Sequence, residues 1–105
     1  DYIAEIIIEG HTDTAGSYKT NMELSTNRAM AVAEFCLDKK NGLDEEQIQK
    51  LQSLLTVNGR SFSAPVYKPG TTEIDMDASR RVEIKFRLKE EEMIEKIAEI
   101  LGQQN

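Results

Sequence analysis

The sequence predicts an α/β (α+β) two-layer sandwich, in which a small mixed β-sheet carries helices packed on it. Three observations carry this. An isoleucine-rich run near the start has the character of a strand buried on both faces. A second run, Arg81 to Leu88, alternates strictly between apolar and charged residues. The segments between and after these runs repeat their apolar residues at helical spacing.

Tyr2 to Glu9 contains the consecutive Ile6-Ile7-Ile8 and stops at Gly10, the pattern of a central strand. Thr12 to Ser17 is a cluster of turn formers, so the residues at the strand's C-terminal end enter a loop. From Met22 to about Lys39, Leu24, Ala31, Val32 and Phe35 share one helical arc, with Asn21 as the expected N-cap and Asn41-Gly42 as the stop. A shorter helix is expected over Leu43 to Ser53, capped by Asp44, with Glu45 and Glu46 at the positive end of its dipole and Ile48 and Leu51 on its apolar side. Leu54 to Asn58 reads as a strand, and Gly59 to Asp77, which holds Pro65 and Pro69, as a loop. In Arg81 to Leu88, Val82, Ile84, Phe86 and Leu88 form the face expected to be buried. Lys89 to Leu101 places Met93, Ile97, Ile100 and Leu101 on one stripe of an amphipathic helix, and Gly102 ends it before a tail expected to fray.

A length of 105 residues suits one domain. The boundaries follow the patterns: residues 1 to 88 as the folded domain and residues 89 to 105 as a C-terminal helix and tail. No apolar run approaches the roughly 18 residues that a membrane span needs. A net charge of −6 argues against nucleic acid as a partner, because binding phosphates requires a basic surface. Asp1 stands without an initiator methionine or signal peptide before it, so the chain reads as a fragment of something longer. Cys36, the only cysteine, lies between Phe35 and Leu37 and reads as a small buried hydrophobe, which removes disulfide frameworks and cysteine-based zinc sites.

Arg28 is the most informative position. It falls inside the arc of Leu24, Ala31, Val32 and Phe35, where a charge needs an anionic partner. Asp13 is the nearest candidate, since a strand-loop-helix connection brings it toward the next helix. The two can pair with each other. They can also take the two ends of an amino-acid zwitterion, the planar guanidinium meeting a carboxylate and the aspartate an ammonium. His11 stands alone, without a second histidine or a cysteine at ligand spacing, so no metal and no cofactor are expected, and His11 serves to shape the turn. No nucleophile, base and orienting group occur together, so the chain is read as not an enzyme.

Four blocks carry a family resemblance: Ile8-Glu9-Gly10-His11-Thr12-Asp13-Thr14-Ala15-Gly16; Asn21-x-x-Leu24-Ser25-x-x-Arg28-Ala29; Gly59 with Pro65; and Arg80-Arg81-Val82-Glu83-Ile84. In order and spacing they resemble the OmpA-like C-terminal domain family, over about residues 3 to 86. The resemblance implies non-covalent binding of the diaminopimelate-containing stem peptide of peptidoglycan, in the periplasm or cell envelope. It places the ligand-binding aspartate on Asp13 and the arginine on Arg28. It also puts Asn21 at the peptide or in the ordering of the loop, with a plain N-cap as the alternative, and Thr12 beside Asp13 among the ligand-binding residues. Arg80 and Arg81 match the family's double arginine. Alternation gives Arg80 the side of Val82 and makes it the one of the pair expected to reach the ligand pocket, although a bulge would reverse this and a solvated basic pair is the other reading. The family's opening strand and helix, with an acidic loop, are expected to be absent here. Ala15, Ser61 and Phe62 also depart from its pattern. The terminal helix is an addition that could cover the sheet or form a homodimer. That leaves a second reading, as an assembly module of a MotB-like stator or a degenerate domain acting in protein–protein interaction.

Overall fold

β-Branched side chains crowd the first strand, β1 (Ile3–His11), and it becomes the centre of the sheet. The computed structural model describes residues 2–102, apart from the side chains of residues 91–93. In sequence order the elements are β1, α1 (Tyr18–Leu37), α2 (Glu45–Leu54), β2 (Leu55–Gly59), α3 (Met76–Ser79), β3 (Arg81–Leu88) and α4 (Glu90–Gly102), with a 3-10 turn at Lys39–Asn41. The strand order is β2-β1-β3. β1 runs parallel to β2, with Ile8 opposite Val57, and antiparallel to β3, with Ile8 opposite Ile84. The expected mixed sheet with helices on it is therefore the architecture found.

Two boundaries differ from expectation. α1 begins a turn early, because Ser17 accepts from Thr20 N–H and is the true N-cap, which leaves Asn21 inside the helix. The long loop before β3 contains a short helix, α3, capped by Asp75. α2 keeps its predicted cap: Asp44 and Gln47 exchange side-chain to backbone bonds in a capping box, and Ile48 is buried.

The largest correction concerns the face that α1 buries. The buried residues are Asn21, Ser25, Ala29 and Ala33, four residues apart, whereas Leu24 and Phe35 are exposed. The buried stripe is rotated by roughly a quarter turn from the apolar arc, at about 100° per residue. Close approach explains it. Gly10 and Gly59 are register partners on β1 and β2, and a Cβ on Gly10 would lie 1.9 Å from the Ser25 carbonyl oxygen. A Cβ on Gly59 would lie 2.1 Å from Thr26 Oγ1. The helix backbone lies directly on paired glycines, so only small residues fit its underside. The core is correspondingly small: Ile8, Ala29 and Ala33, flanked by Val32, Leu55, Val57 and Val82. Cys36 is half-buried on the same helix.

β3 also departs from expectation. Val82 packs on the core, but Ile84, Phe86 and Leu88 are exposed, because α1 reaches only the beginning of that strand. α4 continues from it without covering the sheet. Its Ile94, Ile97, Ile100 and Leu101 are exposed, and the radius of gyration, 17.9 Å, exceeds the ~13 Å of a compact chain of this length. The expected contribution of Met93 and the expected fraying after Gly102 lie outside the described residues. Among the described residues, no helix is long and apolar enough to cross a membrane.

Candidate ligand-binding cleft

The loop leaving β1 is held from inside. Thr12, buried, donates its backbone N–H to the Ser61 carbonyl at 2.9 Å and its hydroxyl to the Asp13 carbonyl at 3.0 Å. Asp13 Oδ1 accepts the Ala15 N–H at 3.0 Å, closing an Asx turn, and Gly16 follows with a left-handed φ of 84°. Asn21, buried one turn into α1, donates through Nδ2 to the carbonyls of Ala15 at 2.7 Å and Ser17 at 3.0 Å. These bonds fix the direction of the Asp13 side chain while leaving Oδ2 outward.

Oδ2 is met by Arg80, which caps the C-terminal end of α3 rather than opening β3, so strand alternation does not govern its direction. Arg80 Nη1 donates to Asp13 Oδ2 at 2.6 Å, and Nη2 donates to Asp77. The Ala15 N–H, then Arg80, with a contribution from the nearby Arg28 charge, holds the Asp13 carboxyl below its ordinary pKa. Asp13 is a carboxylate throughout the physiological range.

Arg28 sits on the flank of the buried stripe of α1, half-buried beside Val32. Among the described residues it makes no hydrogen bond and no ion pair, so the expected pairing with Asp13 is replaced by that of Asp13 with Arg80. Arg28 instead lines an open cleft of 420 Å³ with Ala31, Val32, Arg80, Arg81 and Val82. Of its three arginines, Arg81 is committed to structure. Its guanidinium donates to the Ser79 and Ala64 carbonyls, both at 3.1 Å, and to Glu83, and so ties down the loop between β2 and α3. The cleft thus presents one unpaired guanidinium, a second shared with Asp13, and an aliphatic floor. A free guanidinium suits a carboxylate, and the Asp13 carboxylate suits a cation such as the Arg80 guanidinium that it already holds.

Sequence reasoning missed Ser61 as the hub of this region. Fully buried, it donates its N–H to Ser25 Oγ at 3.0 Å and its hydroxyl to the Tyr18 carbonyl at 2.8 Å, while holding Thr12 through its own carbonyl. Its φ of 52° is left-handed, a conformation that usually marks glycine. The legible signal was Ser61 itself, standing where the family pattern has glycine.

On the other face of the sheet, Glu9, His11 and Glu83 could together offer ligand atoms to a cation within 4.8 Å of one another. Those oxygens are already engaged. Lys85 Nζ lies 3.0 Å and Arg60 Nη1 3.5 Å from Glu9 Oε1, and Arg81 holds Glu83 Oε2. Two carboxylates facing three cations leave the cluster positive, which disfavours a metal ion and marks an ion-pair network. His11 Nε2 lies 2.9 Å from Glu9 Oε1, yet neither ring nitrogen is aligned for a hydrogen bond.

Burial, followed by repulsion from Arg81, pushes the His11 pKa below 6.5 against the opposing pull of Glu83 and Glu9. For Glu9, burial pushes upward but Lys85, His11 and Arg60 outweigh it, and Arg81 lowers Glu83. All three groups bind protons more readily in the unfolded chain, so each favours folding at high pH. The His11 contribution is complete above its unfolded pKa of about 6.5 and declines as pH falls toward its lower folded value. The glutamate contributions fade below about 4.5. Urea midpoints measured between pH 7.5 and 4 are expected to fall continuously. In His11→Gln, the decline between pH 7.5 and 5.5 is expected to flatten; an unchanged slope there would contradict the assignment.

The family model described as the OmpA family matches residues 1–65, and the chain belongs to the OmpA family, whose domains are structural and non-enzymatic. Zorya protein ZorB of Escherichia coli O139:H28 is 34% identical over 90 residues, which is 82% of this chain and 34% of that protein. The chain therefore spans about a third of that relative's length. Among solved structures, the C-terminal domain of Helicobacter pylori MotB superposes with a TM-score of 0.57 at 25% identity, covering 95% of this chain and 69% of the other. A periplasmic domain of the same Helicobacter pylori MotB gives a TM-score of 0.55 at 26% identity, covering 95% of this chain and 59% of the other.

Proposed function

We propose that this chain is a non-catalytic binding domain for the zwitterionic, diaminopimelate-type stem peptide of peptidoglycan, anchoring a larger protein of the periplasm or cell envelope to the wall. The observation that carries the reading is Arg28: a half-buried guanidinium without a partner among the described residues, near a fixed carboxylate and over an aliphatic floor. In this reading Arg28 takes the peptide carboxylate and Asp13 its ammonium. Arg80 borders both, while Asn21 and Thr12 keep the loop in shape. Family membership and the likeness to a domain described as periplasmic support both the ligand class and the location. Isothermal titration with muropeptides is the test. Binding is expected in the native chain and lost in Asp13→Ala and Arg28→Ala; heats unchanged in both variants would sink the reading.

The exposed stripe of Ile94, Ile97, Ile100 and Leu101 favours a second role, assembly of two copies through α4 as part of a stator-like complex. Light scattering is expected to show a concentration-dependent dimer that Ile97→Lys returns to monomer. A monomer at every concentration in the native chain would remove this role.

A further inference from the structure

In the free chain the two charges that the ligand needs are not equally available. Arg28 is open. Asp13 is occupied by Arg80 at 2.6 Å, and the second arm of the same guanidinium rests on Asp77. Arg81 next to it braces two carbonyls of the fold, but the Arg80 guanidinium holds no backbone group among the described residues, and its side chain is 39% exposed. It is therefore free to leave Asp13 without disturbing the elements around it. It also already lines the cleft in which Arg28 lies.

The geometry points to Arg80 as a tethered competitor that fills the ammonium subsite on Asp13 until a ligand ammonium displaces it, whereupon its guanidinium joins Arg28 in the carboxylate subsite. This rests on the reading that Asp13 receives an ammonium. Exchange of one cation for another on Asp13 yields little net gain, so a simple amine has nothing to offset the exchange. A group carrying ammonium and carboxylate on one carbon meets Arg28 and gives the released Arg80 a new partner. The competitor therefore discriminates against free amines and in favour of zwitterions, through a built-in cost to the wrong ligand. Asp77, 92% exposed and paired with the second arm of Arg80, steadies the competitor in its resting position.

The test is an NMR titration of the full chain with two probes of matched carbon spacing, meso-diaminopimelate and the diamine cadaverine, which lacks both carboxylates. The native chain is expected to bind the first and to discriminate against the second. In Arg80→Met, cadaverine affinity is expected to rise about fivefold, the upper range for an exposed ion pair, so that the preference for the zwitterion narrows. Asp77→Asn is expected to shift it in the same direction by a smaller factor. If the native chain binds meso-diaminopimelate and Arg80→Met leaves cadaverine affinity unchanged or weaker, the competition is overturned while the pocket stands. If neither probe binds any of the three proteins, the pocket and the competition fall together.

Discussion

Replacing Gly10 with alanine is expected to destabilise the chain by on the order of 3 kcal/mol, enough to unfold much of a marginally stable domain. The added methyl would meet the Ser25 carbonyl oxygen at 1.9 Å and its carbon at 2.8 Å, and both are backbone atoms of a helix that cannot turn aside. Relief requires α1 to lift off the sheet. That would uncover Ile8, Ala29 and Ala33 and part Ser25 from Ser61, loosening the loop that carries Asp13. Gly102→Ala is the control, because no other described residue has an atom within 4 Å of its added methyl. Urea unfolding monitored by circular dichroism is expected to show a large loss for the first substitution and none for the second. Equal midpoints would show that α1 does not rest on the glycines.

Arg28→Ala is expected to have the opposite profile, with little change in stability and a large loss of binding. Because Arg28 has no hydrogen bond or ion pair to lose among the described residues, its removal is expected to leave stability within about 0.5 kcal/mol. A charge-assisted bond to a ligand carboxylate contributes about 1.5–3 kcal/mol, so muropeptide affinity should fall roughly 10- to 100-fold. Arg81→Ala provides the contrast. It frees the carbonyls of Ser79 and Ala64, so its first consequence is a loosened loop and a lower unfolding midpoint. A stability loss in Arg28→Ala comparable to that of Arg81→Ala would mean that Arg28 supports the fold and is not held open for a ligand.

Where local chemistry decides the outcome, the sequence was readable. The Ile6-Ile7-Ile8 run became the central strand, although only Ile8 of the three is fully buried, and Asp44 with Gln47 became a capping box, since β-branched strand preference and satisfaction of the first helical N–H groups need no knowledge of distant residues. The buried face of α1 was not readable from apolar periodicity. Leu24 and Phe35 outweigh Ser25 and Ala29 in hydrophobicity, but the paired glycines beneath α1 exclude large side chains, and that is a property of two strands brought together by the fold. Ile84, Phe86 and Leu88 alternate as a buried strand face should, yet α1 does not extend over them. At the site, the helical-wheel argument demanded an anion beside Arg28 and offered Asp13; among the described residues Arg28 pairs with no anion, and Asp13 pairs with Arg80. Arg80 reaches Asp13 because α3 interrupts the loop and ends beneath it, and four residues of helix leave almost no periodic trace.

The most direct test of the cleft is a titration of muropeptide into the native chain labelled with 15N-arginine, followed through the side-chain Nε–H signals. Arg28 and Arg80 are expected to shift together and saturate at one ligand per chain. Arg60, paired with Glu9, and Arg87, paired with Glu5, are expected to stay in place. Saturable shifts at Arg60 or Arg87 with Arg28 unmoved would place the ligand elsewhere and contradict the account.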